Sequence, residues 1–368
     1  MLISIALAAA QAASPTAPAP IPLTADHWDV DGEVAFETRD GRPGMRLGAP
    51  VTGKRSGAVA NIKGLSFTTG IVEYDVMLPD AMEFSGPIFH QPDTLTGEYI
   101  YFRPHMNGKP DAIQYTPVVN GNLNWQIFSG PGFEAQGSFP LNRWMRVRLD
   151  IYASSASVSV DGKPLLAIPE LKNGGLAGTL GFASLMGGTY YANVSVRPID
   201  GYRDPAPPAP AKAMPVGLVQ TWQVSEALTQ ADAFSRAAGR SWNGLPWHSI
   251  KVESNGIANL AKAGPDGDDE HSFIARFSLI SQGARSVPMQ FGFSDDVRIY
   301  VNGAPLYEGS DRQNSRDYRF LGHVGFWDTV YLPLKSGDND IAFVVTDPTN
   351  GGTAAAAIIA PEAGLRLQ

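Results

Sequence analysis

The strongest constraint on this chain is a period of two. Val72, Tyr74, Val76 and Leu78 alternate with Glu73, Asp75 and Met77, and Val147, Leu149 and Ile151 alternate with Arg146, Arg148 and Asp150. Successive side chains of an extended strand point to opposite faces, so such runs bury one face and wet the other. Leu123, Trp125 and Ile127 share one face, leaving Asn124, Gln126 and Phe128 on the other. Later in the chain Phe273, Ala275, Phe277 and Leu279 repeat the pattern, as do Ile341, Phe343 and Val345. Asp161-Gly162 and Asn302-Gly303 stand between such runs and supply the positive φ angles of tight hairpins. One helix is expected, from Ser225 to Ala238 behind a serine cap. The chain therefore reads as all-β and antiparallel.

A length of 368 residues exceeds what one hydrophobic core usually organises. The 39 glycines and 29 prolines fit frequent turns between short strands, and one proline-alanine stretch divides the chain. It spans residues 203–215, too stiff and too poor in large apolar groups to pack. Two antiparallel β-sandwich domains are expected on either side, over 24–202 and 216–368. The first dozen residues form a short apolar run ending in Ala10-Gln11-Ala12, the small-x-small pattern of a cleaved leader. No Lys or Arg precedes that run. A Pro-rich extended segment over 13–23 follows it. An exported protein, periplasmic or extracellular, is the expectation.

Charge and cysteine narrow the partners. With 28 basic and 36 acidic residues the net charge is −8, and no basic run occurs. Nucleic acids and anionic membranes both reward clustered Lys and Arg, so neither is the expected partner. Beyond the leader no segment approaches the ~18 apolar residues of a membrane span, so no membrane insertion is expected. The absence of cysteine removes disulfides, thiol catalysis and cysteine-bound zinc together.

Two resemblances refine the fold. Leu65-Ser-Phe-Thr-Thr-Gly-Ile-Val-Glu-Tyr-Asp-Val-Met-Leu-Pro79, Gly86-Pro-Ile-Phe89, Trp144-Met-Arg-Val-Arg-Leu149 and Gly178-Thr-Leu-Gly-Phe182 resemble the concanavalin A-like lectin/glucanase superfamily, with its laminin G-like members. The likeness covers most of 65–198 and implies a jelly roll with one concave face. Lectins, hydrolases, lyases and adhesion modules all use that fold, so it does not name a function. Trp222-Gln-Val-Ser225, Ser272-Phe-Ile-Ala-Arg276 and Phe291-Gly-Phe-Ser-Asp-Asp-Val-Arg-Ile-Tyr-Val-Asn-Gly303 resemble a galactose-binding-like jelly roll. Such accessory domains accompany glycosidases, and many bind no sugar.

The most informative segment is Gly97-Glu-Tyr-Ile-Tyr-Phe-Arg-Pro-His105. At period two, Tyr99, Tyr101, Arg103 and His105 point one way while Ile100 and Phe102 point the other. Sugars stack on aromatic rings while planar polar side chains grip their hydroxyls, and this strip offers both. Gln114, Tyr115, Asn124, Trp125 and Gln126 add amides and aromatics to the expected ligand face. For an enzyme, His90 or His105 is the natural base, Arg103 the stabiliser of negative charge and Tyr101 the acid. That trio suits a polysaccharide lyase or a glycoside hydrolase, including the 3-keto-glycoside type.

Glu73-Tyr-Asp75 tests the laminarinase pattern, in which a second glutamate follows. Retaining hydrolysis needs two carboxylates ~5 Å apart, and Met77 and Leu78 occupy the positions that should carry the second. The acidic loop with Asp266, Asp268, Asp269 and Glu270 offers oxygen ligands for a structural calcium but lacks EF-hand spacing. No other cofactor is expected. The leading reading is an exported carbohydrate-binding protein whose partner is an oligo- or polysaccharide. Two alternatives stay open: a carbohydrate-active enzyme working through His90, His105 and Arg103, and a self-associating structural module that holds no sugar.

Overall fold

The computed structural model describes residues 18–49, 57–206, 213–265, 271–312, 315, 323–348 and 352–368. Antiparallel sheets dominate it, as the alternation requires. In the first half, an eight-stranded sheet packs on a seven-stranded one. The larger sheet includes the strands Ser85–Gln91, Gly97–Phe102, Ile113–Val119 and Thr179–Ser184. The smaller sheet centres on Gly70–Met77, flanked by Trp144–Ile151 and Thr189–Pro198. Between them lie Phe67, Tyr74, Phe89, Phe102, Tyr115, Phe182 and Tyr191, all fully buried. Burying each such ring contributes about 1.5–3 kcal/mol relative to leaving it exposed.

The second half pairs an eight-stranded sheet with a four-stranded one. Its core holds Trp222, Phe273, Phe291, Phe293, Phe343 and their neighbours. The helix runs over Gln230–Gly239, not from Ser225, which ends a strand instead. Thr229 is its cap, accepting from the Asp232 backbone N–H at 3.3 Å. Ala233 and Ala237 press the helix onto the outer face of the larger sheet, against Ile274, Tyr300, Ala342 and Val344. Trp242 and Trp247 join that packing, with the Arg276 guanidinium over both rings at 4.9 and 5.3 Å. They serve the fold there.

The hairpin turns take the conformation their residues demand. Asp161 and Gly162 have φ of 48° and 74°, and Asn302 and Gly303 have 53° and 85°. Both pairs match the left-handed turn that suits the twist of a two-residue hairpin.

The two sandwiches share a third apolar cluster. Ile127 and Phe128 of the first meet Ile257, Val324, Ala354 and Ala356 of the second. Around it, Asn255 donates to the Ile127 carbonyl at 2.8 Å, Asn120 donates to that of Ala261 at 2.7 Å, and Val324 N–H donates to that of Gln126 at 2.9 Å. Lys172 reaches Glu253 at 3.3 Å across the same junction. Among the described residues no helix is long and apolar enough to cross a membrane. The expected leader over 1–12 and residues 13–17 of the segment after it lie outside the described residues, as does the centre of the expected linker, 207–212.

Candidate functional site

Tyr99, Tyr101 and Arg103 do share one face of the larger sheet, while Ile100 and Phe102 enter the core. Register places Tyr99 opposite Thr116 and Tyr101 opposite Gln114. On the adjoining strand Ile88 stands opposite Tyr99. The two phenol rings stack at 4.8 Å.

The expected open groove is not there. Tyr99, Tyr101 and Arg103 are only 1%, 3% and 4% exposed. Phe84, from the loop before the strand Ser85–Gln91, lies edge-on against Tyr101 and His105, and the Arg103 guanidinium sits 5.6 Å over its ring. Ile88, Val118 and Ala183 complete this outer apolar layer. Tyr99 donates its hydroxyl to the Phe84 carbonyl at 2.7 Å. A sugar cannot stack on rings so enclosed.

His105 departs from the expected strand. Proline 104 ends the extended run, and His105 falls in the short 3-10 turn Pro104–Met106. Its Nδ1 accepts from the Glu83 backbone N–H at 3.3 Å. Burial and the nearby Arg103 lower its pKa to about 4, so at neutral pH it is uncharged.

His90 is apart from all of them. Its Nε2 bonds the Thr68 carbonyl at 2.6 Å, its ring packs edge-on against Phe89 of the core, and burial lowers its pKa. The trio His90, His105 and Arg103 therefore does not assemble as a catalytic set. Tyr115 also leaves the face: it lies in the core, donating to Glu98 Oε2 at 2.7 Å and accepting from the Lys172 N–H at 2.9 Å. Asn124 is spent locally, donating to the carbonyls of Asn122 and Pro117 at 2.8 and 3.1 Å. Gln126 donates to Asp295 Oδ1 of the second sandwich at 2.6 Å. Glu73 and Asp75 make no hydrolase pair. Asp75 is buried, gripped by Arg42 at 2.6 Å, Arg146 at 3.2 Å and Asn193 at 2.7 Å.

The polar members of the strip lead elsewhere. Tyr101 donates to Gln114 Oε1 at 2.9 Å, and Gln114 Nε2 donates to Glu134 Oε2 at 2.9 Å. Glu134 Oε1 accepts from the Gly130 N–H at 2.9 Å. Beyond Glu134 stands His323 of the second sandwich, its Nε2 4.0 Å from Oε2. Burial lowers the His323 pKa, and the Glu134 and Asp111 carboxylates oppose that shift. Arg103 is ion-paired with Asp111, both almost fully buried. Trp125, half-buried, meets the His323 ring edge-on at 6.2 Å.

This junction thus gathers Tyr101, Gln114, Arg103, Asp111, Glu134, His323 and Trp125. Two of its buried polar atoms, Arg103 Nε and His323 Nε2, have no hydrogen-bond partner among the described residues. A buried polar group left without any partner, water included, costs about 1–3 kcal/mol, so a ligand or water hydroxyl is favoured there. Asp111, Glu134 and His323 carry no sequence signal: Asp111 and His323 stand in irregular stretches, Glu134 in a strand only two residues long, and His323 is distant in the chain from its partners. The acidic loop Asp266, Asp268, Asp269 and Glu270 lies outside the described residues. Among the described residues no cluster of three or more His, Asp or Glu is placed to hold a metal ion.

No protein-family model matches this sequence, and no curated protein matches it. Solved structures do. A carbohydrate-binding module, CBM66, from Bacillus subtilis aligns over 46% of this chain and 93% of its own, at 15% identity and a TM-score of 0.34. The exoplasmic/lumenal domain of VIP36, in a form holding calcium and a mannose-containing glycan, aligns over 49% and 88%, at 14% identity and 0.33. A glycoside hydrolase family 16 endo-glucanase from Bacteroides ovatus aligns over 47% and 96%, at 12% identity and 0.31. These neighbours are carbohydrate-binding, lectin-type or glucanase domains of the β-sandwich kind, and each matches just under half of this chain.

Proposed function

We propose that this is an exported carbohydrate-binding protein whose glycan sits at the junction of the two sandwiches. The observation that carries the reading is the part-exposed Trp125 ring set edge-on to His323, whose Nε2 stands 4.0 Å from Glu134 Oε2 and has no hydrogen-bond partner among the described residues. A sugar hydroxyl donates and accepts at once, so one hydroxyl can satisfy a nitrogen of this cluster while donating to the carboxylate. Trp125 beside them supplies an apolar ring for a sugar C–H face. Tyr101 and Gln114 hold Glu134 in place from behind, and preorganisation of this kind lowers the entropic cost of binding.

The sugar is read from the rim, not from the tyrosine strip. Retention on immobilised polysaccharides tests this. Trp125→Ala and Glu134→Gln are each expected to weaken retention by about 1–3 kcal/mol, roughly fivefold to 150-fold, while Tyr99→Phe leaves it unchanged. Equal retention by all four proteins would end the reading. Release of reducing ends by the wild type, lost in His323→Gln, would assign the Glu134–His323 pair to bond cleavage instead.

A further inference from the structure

A second set of buried polar atoms lies along the seam between the sandwiches. Asn124 of the first sandwich and Asn259 of the second are both 0% exposed. Asn259 Nδ2, Asn259 Oδ1 and Asn124 Oδ1 have no hydrogen-bond partner among the described residues. Asn259 precedes the 3-10 turn Leu260–Ala263, and its side chain makes no cap bond to it. Its strand partner is Ala354, which packs in the seam cluster with Ile127 and Phe128. Directly opposed residues of an antiparallel pair point to the same side of the sheet, so the Asn259 amide faces the first sandwich.

Asn124 reaches the same place from the other side. A Cβ at Gly352 would lie 3.2 Å from Asn124 Oδ1 and 2.9 Å from its Cα, so Asn124 packs on the chain two residues before Ala354. Two extended residues span about 7 Å, and two hydrogen bonds through one water span about 5.5 Å. Beside Asn259 this segment brings only the Ala354 methyl, with no side chain at Gly352. Elsewhere the seam bonds directly, as where Asn120 donates to the Ala261 carbonyl at 2.7 Å. Asn124 spends its Nδ2 on the carbonyls of Asn122 and Pro117, which leaves Oδ1 over. The unmatched set is therefore one amide donor group and two carbonyl oxygens. A charged ligand would find no counter-charge among them, and an apolar one would leave all three unsatisfied. Water both donates and accepts, and a buried water ordinarily makes about three such bonds.

We infer that ordered water occupies this part of the seam, accepting from Asn259 Nδ2 and donating to Asn124 Oδ1 and Asn259 Oδ1, and that it couples the two sandwiches there. The test is a crystal structure of the full-length protein together with urea unfolding of Asn259→Leu, which keeps the size of the side chain and removes its amide. Water bonded to both Asn259 and Asn124 is expected. Asn259→Leu is expected to raise the unfolding equilibrium constant about fivefold or more, because it strands Asn124 Oδ1 and the water. Were Asn259 simply unsatisfied, leucine would remove the unmet amide and the midpoint would rise. A seam without water, an Asn259 amide bonded directly to another protein group, or a urea midpoint that rises or holds in Asn259→Leu would each overturn the inference. Should the variant fail to fold, the wild-type structure decides alone. None of these readouts involves sugar, so the site stands or falls apart from glycan binding.

Discussion

Gln126 and Asp295 are both fully buried, and the amide of the first donates to the carboxylate of the second across the two sandwiches at 2.6 Å. A charge buried this deeply must be met by donors, so the contact fixes one sandwich against the other. Replacing the amide with a hydrocarbon of similar shape removes a donor while the carboxylate stays buried. Gln126→Leu is therefore expected to cost about 1–3 kcal/mol, read as a lower denaturation midpoint. An unchanged midpoint would show that the junction does not depend on this contact.

Phe128 makes the same point with apolar area. It is 2% exposed in the junction cluster, with the Lys172 ammonium 5.1 Å from its ring centroid. Phe128→Ala is expected to cost about 3–5 kcal/mol. We propose that the two halves are separate domains with separate cores, coupled at this seam. Calorimetry of the wild type is then expected to show one transition, and of Phe128→Ala two. Two transitions in the wild type would contradict the coupling.

Glu98 predicts a pH dependence. Burial pushes its pKa up to about 8, against the lowering effects of the Tyr115 hydroxyl, the Asn173 N–H and Lys172. Its folded pKa lies above its unfolded value of roughly 4.3, so its contribution to stability is full below that value. The contribution is lost as pH rises through about 8, where the folded state must ionise a buried carboxyl. Glu98→Gln has no such carboxyl. From pH 5 to pH 8.5 its urea midpoint is expected to improve relative to wild type. A constant difference between the two proteins would refute this.

Asp75 is a structural carboxylate, so it should matter to stability and not to sugar. Its partners Arg42 and Arg146 are part-exposed, and solvent screens each pair. Asp75→Asn is expected to lower stability by about 1 kcal/mol and to leave glycan retention unchanged. Loss of retention at unchanged stability would restore it to a binding role.

Most strands were legible because burial on one face writes itself as alternation, and the Asp161-Gly162 and Asn302-Gly303 turns because few residues tolerate their backbone. The run from Leu123 to Phe128 is an exception: the strand is only Asn122–Leu123, the Ile127 and Phe128 N–H groups turn back to the Asn124 carbonyl, and Ile127 and Phe128 pack in one cluster. The faces were legible too: Tyr99, Tyr101 and Arg103 lie together as period two requires. What alternation does not encode is cover. Nothing in the strip announces that Phe84, from a neighbouring loop, closes over Tyr101, while His105 touches the Phe84 ring and stays exposed. His90 and Tyr115 lay beyond what the strip's alternation can place. His90 has a φ of 53°, and a register shift between Thr179 and Gly181 marks the adjoining pair of strands as irregular. Tyr115 stands opposite Ile100, on the core face, where Glu98 offers its hydroxyl a buried acceptor. Glu134 and His323 were invisible because their meeting depends on how two sandwiches dock.

The central claim is that sugar is held where His323 meets Glu134 and Trp125, and the imidazole signals of isotope-labelled histidines test it most directly. On adding an oligosaccharide that the protein retains, the His323 ring signal is expected to move saturably, while that of His27, bonded to Thr24 at the start of the first sandwich, stays fixed. Tight binding that leaves the His323 signal unmoved would place the glycan elsewhere and contradict the account.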